Sequence, residues 1–209
     1  MNTLYILNTG FLKEPGVYEK VLLKLNSERR EKAESYKPES SRLLSVGASL
    51  LIDLGLREYS LTLKDSEFVY NEFGKPAVKG REDIAFSISH SGEYAVAMFT
   101  NEQVGVDIER IKHPNESVVK FTLSAGEALV YNNSPDSEKD ALFFKFWTEK
   151  ESFLKFLGTG INVRPAEIPT LYKLKLSDVH FYTFDVVPEY VITVCSKGPE
   201  PVVKIIKGL

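Results

Sequence analysis

Glu151 stands where a helix would bury it. The stretch Phe146-Trp147-Thr148-Glu149-Lys150-Glu151-Ser152-Phe153-Leu154-Lys155 reads as helical. At about 100° per residue, Phe143, Phe144, Trp147, Leu154 and Gly158 share one face with Glu151 in their midst, and Lys155 lies at its margin. An ionised carboxylate on an apolar stripe is costly, so Glu151 either titrates upward or meets a bound cation or a basic group. The plainer alternative is an exposed helical pair, because Glu followed four residues later by Lys is the favoured orientation.

Two more acids stand upstream. Gly105-Val106-Asp107-Ile108-Glu109 reads as a strand, which sets Asp107 and Glu109 about 7 Å apart along one face. They repel each other unless they are exposed or share a cation, and Glu151 is the misplaced third acid that could complete an oxygen-only site. Phe86-Ser87-Ile88-Ser89-His90-Ser91 puts hydroxyls and an imidazole at a strand end. Such a corner could donate to phosphate oxygens, or its serines could bond to their own turn. Arg29 and Lys32 are three apart on one helical face, Arg42 opposes the dipole in the first turn of another helix, and Lys75 is held between Gly74 and Pro76. Each basic residue also reads as ordinary solvated surface.

The elements that must position these groups follow from periodicity and punctuation. A strand is expected at 4–7, helices at 17–25, 27–35 with Ser27 as N-cap, and 40–56, and a turn at 71–77. A meander of strands at 84–88, 94–99 and 104–109 closes the first half. The second half repeats the order: a helix at 124–131 with a Ser124 and Glu127 capping box, a long helix at 138–157 ended by Gly158 and Gly160, then strands at 172–176, 181–187, 190–195 and 202–206. The expected fold class is α+β, with two pseudo-symmetric lobes, 1–110 and 111–209, each a long helix packed on a small antiparallel sheet. A site in the groove between them is then natural.

Composition narrows the functions. With 26% charged and 43% hydrophobic residues the chain is that of a soluble globular protein. A net charge of -3 leaves no cationic excess for general nucleic-acid binding, so any phosphate recognition is local. Cys195 is the only cysteine and His90, His113 and His180 are far apart, which excludes a disulfide framework and the usual zinc spacings. A bound metal would take oxygen ligands, as Mg²⁺ does. No basic leader and no membrane-length apolar run is present, so a cytoplasmic protein is expected.

In that order and spacing, the serine-histidine strand end, the Asp107 and Glu109 strand and the Trp147 to Lys155 helix resemble the signature of the 4'-phosphopantetheinyl transferases, in the larger surfactin-type group. Gly74-Lys75-Pro76, Arg29 to Lys32 and Arg42 reinforce the likeness, while the C-terminal strands match in general pattern only. The resemblance implies a monomeric enzyme that binds coenzyme A and Mg²⁺ and transfers the phosphopantetheine arm to a carrier-protein serine, releasing 3',5'-ADP. It implies Asp107, Glu109 and Glu151 as metal ligands, Glu151 as general base and Lys155 as stabiliser of the transferring phosphoryl group. Ser89 and His90 would hold coenzyme A phosphates, Lys75 and Pro76 would shape the nucleotide pocket, and Arg29, Lys32 and Arg42 would meet the 3'-phosphate and pyrophosphate. Ser152, where the family often has Ala, is a small change. The second hypothesis is a catalytically silent coenzyme A or carrier-binding module on the same fold, disfavoured by the intact Glu151 and Lys155. An unrelated Mg²⁺-dependent phosphotransferase lacks any Walker-type loop here.

Overall fold

The computed structural model describes residues 2–160, 162–168, 170 and 178–208. The expected strand at 172–176 lies outside them. In chain order the elements are β1 (Asn2–Asn8), α1 (Val17–Leu22), α2 (Ser27–Ser35), α3 (Glu39–Arg57), β2 (Phe68–Tyr70), β3 (Pro76–Val78), β4 (Ala85–Ser91), β5 (Tyr94–Thr100) and β6 (Val104–Arg110). Then come α4 (Glu116–Thr122), α5 (Ala125–Asn133), α6 (Asp136–Leu157), β7 (His180–Phe184), β8 (Tyr190–Ser196) and β9 (Val202–Ile206). No helix among the described residues is long and apolar enough to cross a membrane.

The strands form a sheet in the order β4-β5-β1-β9, a second in the order β6-β8-β7, and the small hairpin β2-β3. Alternation along β1 sends Tyr5 and Leu7 to a core shared with Leu51, Ile52 and Leu56 of α3, and Leu4 and Ile6 to the opposite face. There they meet Val96 and Met98 of the same sheet and Val106, Ile108, Ile192 and Val194 of the second. The far side of the second sheet is covered by Phe153, Leu154 and Phe156 of α6 around Cys195. The layers thus run helix, sheet, sheet, helix, which is a mixed α+β fold. Full burial of each such side chain contributes about 1.5–3 kcal/mol, so the two inner faces hold the layers together.

Several expectations are corrected. The three strands of the first half are no meander, because the second edge of β5 is taken by β1. β6 pairs instead with β8, and β9 runs parallel to β1, so that sheet is not wholly antiparallel. β6 therefore lies in the sheet of the second half and β9 in that of the first, either side of the division at residue 110. The cap of α2 is Asn26, whose side chain accepts from the Arg29 amide, and not Ser27. The capping box of α5 forms as expected, and α6 ends at Gly158 with φ 71°, a left-handed turn that glycine tolerates.

Candidate active site

β4 and β6 run side by side, and serine side chains take the place of a backbone ladder. Ser87, Ser89 and Ser91 alternate along β4 and so face the same way. The Val106 amide donates to Ser87 Oγ at 3.1 Å and the Arg110 amide to Ser91 Oγ at 3.2 Å. Ser89 and Ser91 in turn donate to the carboxylates of Asp107 and Glu109, each at 2.7 Å. The two acids are therefore oriented by hydroxyls from the neighbouring strand.

α6 crosses this strand pair and brings Lys155 to it. The Lys155 ammonium lies 2.7 Å from Asp107 Oδ1 and 2.8 Å from Ser89 Oγ, closing a three-way contact around a carboxylate that is 3% exposed. Asp107 Oδ2 and Glu151 Oε1 are buried and have no hydrogen-bond partner. Burial, then the charge of Asp107, raises the pKa of Glu151 and of Glu109 above the ordinary carboxylate range. Lys155 works against the rise at both acids, and Ser91 does so at Glu109. Hard oxygen donors with orphaned lone pairs and mutual repulsion suit a hard divalent cation. Among the described residues no group of three or more His, Cys, Asp or Glu is drawn in as an assembled metal centre. Asp107 and Glu109 each have another partner, Lys155 and Ser91 respectively.

Beside the acids runs a groove of about 280 Å³. α2 contributes Arg29 and Lys32, the loop and strand after β2 contribute Lys75 and Pro76, and α6 contributes Glu151 and Lys155. Arg29 is buried, with Nε donating to Ser49 Oγ at 3.0 Å, and burial pulls its pKa down. The pKa of Lys32 is lowered by burial and by Arg29 beside it, so an anion would relieve that pair. The His90 ring reaches the surface, yet the surrounding protein and the Lys155 charge hold its pKa below the usual imidazole value.

Two of the expected basic residues are placed otherwise. Arg42 lines a separate cavity with Lys13 and Tyr18, and its guanidinium donates to the Lys37 carbonyl at 3.2 Å, so it is not brought to the groove. The α3 side chain turns back toward the segment preceding its own helix. Lys75 lines the groove, but its ammonium is turned to backbone carbonyls of α6 and β6.

Other residues were not foreseen. Lys150, flanked by Glu149 and Glu151, points away from the groove into the protein and pairs with Glu127 at 2.7 Å, the two being 1% and 0% exposed. Its ammonium also donates to the Pro165 and Ile168 carbonyls, and Glu127 accepts from Ser124 and Thr170. Burial pushes the Glu127 pKa up, but the bonds from Lys150, Ser124 and Thr170 outweigh it and hold the carboxyl below its usual range. The signal available in the sequence was the capping-box Glu127 itself, already marked as a structural acid. For the serine ladder the signal was the period-two spacing of Ser87, Ser89 and Ser91.

A groove that presents Arg29, Lys32, Glu151 and Lys155, with Lys155 in contact with Asp107 beside it, is an arrangement for phosphate chemistry. The family model described as the 4'-phosphopantetheinyl transferase superfamily matches residues 103–195, which take in β6, α6 and β8. That match and the relatives it accompanies support the surfactin-type group of the superfamily. It is similar to the 4'-phosphopantetheinyl transferase Sfp of Bacillus subtilis (strain 168), at 28% identity over 87% of this chain and 86% of that protein. It is similar also to the 4'-phosphopantetheinyl transferase psf-1 of Bacillus pumilus, at 29% identity over 82% and 78%. A shorter likeness, 34% identity over 55% of this chain and 50% of the relative, joins it to the 4'-phosphopantetheinyl transferase gsp of Aneurinibacillus migulanus.

Proposed function

We propose that this chain transfers the 4'-phosphopantetheine arm of coenzyme A to a serine hydroxyl of a carrier protein and releases 3',5'-ADP. The observation that carries the mechanism is the contact of Lys155 with Asp107 and Ser89 beside the orphaned Glu151 oxygen, at the side of a groove lined by Arg29 and Lys32. The family match and the named relatives support the reaction class.

Arg29 and Lys32 bind phosphates of coenzyme A and His90 adds a donor at the end of β4, while Ser89, whose one proton goes to Asp107, orients that acid beside them. Pro76 and its loop shape the wall against which the nucleotide lies. Glu151 lines the groove with one buried oxygen that has no hydrogen-bond partner, and that oxygen is suited to accept the serine proton as the new P–O bond forms. The P–O bond to 3',5'-ADP breaks as the new one forms. Lys155 is within reach of the same site and stabilises the charge that gathers on the transferring phosphoryl group. Mg²⁺, held by Asp107, Glu109 and Glu151, would supply Lewis-acid polarisation of the pyrophosphate. We read the two halves, 1–110 and 111–209, as pseudo-symmetric lobes with this groove between them, and the chain as a cytoplasmic monomer.

The carrier docks on the segment that follows β6. There Leu123 is buried and Val119 packs inward, while Val118 and Phe121 are exposed beside Lys112 and Lys120. The apolar side chains and local positive charge suit an acidic helical partner despite the net charge of the chain.

The test is a transfer assay with coenzyme A, Mg²⁺ and purified apo-carriers from fatty acid, polyketide and nonribosomal peptide synthesis, followed by intact-protein mass spectrometry. A mass gain of one phosphopantetheine arm, absent when the carrier serine is replaced by Ala, is expected. Coenzyme A binding without mass gain on any carrier would leave the silent binding module in its place.

A further inference from the structure

We infer that Lys75 is a positioning residue for Lys155, holding the last turn of α6 against β6, and is not a ligand of the coenzyme A phosphates; the inference rests on the transferase reading. An ammonium has three protons to donate. Lys75 Nζ has three carbonyl oxygens in reach: Lys155 at 2.6 Å, Val104 at 2.9 Å and Phe156 at 3.3 Å. Every proton is placed on the backbone, and none is left for a phosphate oxygen. Burial lowers its pKa to about 8, which still leaves the group charged at neutral pH.

The acceptors explain what the lysine does there. A helix leaves its last four carbonyls without intrahelical partners, and a cation at that end also suits the dipole. In α6 the Lys155 and Phe156 carbonyls go to Lys75, Gln103 Nε2 shares the Phe156 oxygen at 2.7 Å, and Asn71 Nδ2 takes the Gly158 carbonyl at 2.7 Å. Because Val104 belongs to β6, one ammonium ties helix and strand together. At the adjacent residue, Gly105, they pack closely: a Cβ there would lie 2.0 Å from the Ser152 carbonyl oxygen. Contact at Gly105 sets the height of α6 over β6, and Lys75 stops the helix end from sliding along it.

That register decides the catalytic contact. Side chains on a helix lean toward its N-terminus, so Lys155, whose carbonyl is clasped by Lys75, reaches back to Asp107, two residues beyond Gly105. A displacement of about 1 Å at a reacting group can cost about 100-fold in rate.

The experiment is steady-state kinetics of Lys75→Met, alone and combined with Lys155→Ala. Lys75→Met is expected to lower kcat by about 10-fold to 100-fold with KM for coenzyme A within about threefold of wild type. In the Lys155→Ala background it should lower kcat no further, because both changes remove the same contact. A tenfold rise in KM with kcat retained, or full additivity with Lys155→Ala, would overturn the inference. Should Lys75→Met fail to fold, Gln103→Ala removes a bond to the same helix end. A kcat reduced about two- to fivefold at unchanged KM supports the inference, and kcat and KM both at wild-type values overturn it. A wild-type protein inactive on every carrier would strike the transferase reading and not this one.

Discussion

Asp107 sits where the charge of the site is most crowded: it accepts from Lys155 and Ser89, raises the pKa of both neighbouring acids and keeps one buried oxygen without a partner. Asp107→Ala should lower kcat/KM for transfer at least about 100-fold. It should also abolish the rise in melting temperature that Mg²⁺ gives the wild type, since a ligand stabilises only the state that binds it. An equal Mg²⁺-dependent rise in the variant would remove the metal from this site. The basic residues divide by position. Lys32→Ala should raise KM for coenzyme A about tenfold, the worth of one bond to a charged group, whereas Arg42→Ala should leave it unchanged because Arg42 lines a different cavity. Equal effects in parallel steady-state assays would contradict that division. The sequence showed which types of residue could do the chemistry, and it marked the apolar setting of Glu151. It could not show where Arg42 and Lys75 point, because a long side chain on a surface helix or loop has several directions open and tertiary neighbours choose among them.

At the scale of elements, α6 is the part most legible in advance and also the most incompletely read. Its length, its end at Gly158 and its apolar face followed from periodicity, yet Phe146, Phe153 and Phe156 are buried as well, so the helix is covered on more than one side. Lys150 belongs to this second side. Lys150→Met leaves the Glu127 carboxylate buried and unpaired, and breaking such a pair costs about 3–5 kcal/mol. Urea unfolding at neutral pH measures it, and a loss below about 1 kcal/mol would mean that the pair is not the anchor of α5 on α6. The pH dependence has a definite sign. Because the folded pKa of Glu127 is depressed, its contribution is present above the ordinary glutamate range and is lost as pH falls through the folded value. Glu127→Gln should therefore flatten the acid side of the stability profile. Strand pairing was the weakest part of the sequence reading. Alternation locates β4, β5 and β6 but is silent on partners, and the partners of β6 and β9 come from distant parts of the chain.

For the whole molecule, the layered order puts the acids of β6 under α6 at one end of the serine-bridged strand pair. The proposed carrier surface then follows directly in sequence, through Lys112 and Lys120. Charge reversal at both lysines should raise KM for the carrier about five- to tenfold and leave KM for coenzyme A at its wild-type value, because rim charges act on encounter. Should neither constant move, the carrier docks elsewhere. The chemistry itself is tested most directly at Glu151. A substitution to Gln keeps the shape of the side chain and its place in α6 but removes the base and one charge of the cation site. Intact-protein mass spectrometry of an apo-carrier with coenzyme A and Mg²⁺, paired with coenzyme A binding by calorimetry, reads both functions on one variant. The expected result is binding within about threefold of wild type and transfer slowed by at least about 100-fold. A Glu151→Gln enzyme that loads the carrier at the wild-type rate would contradict this assignment of the active site.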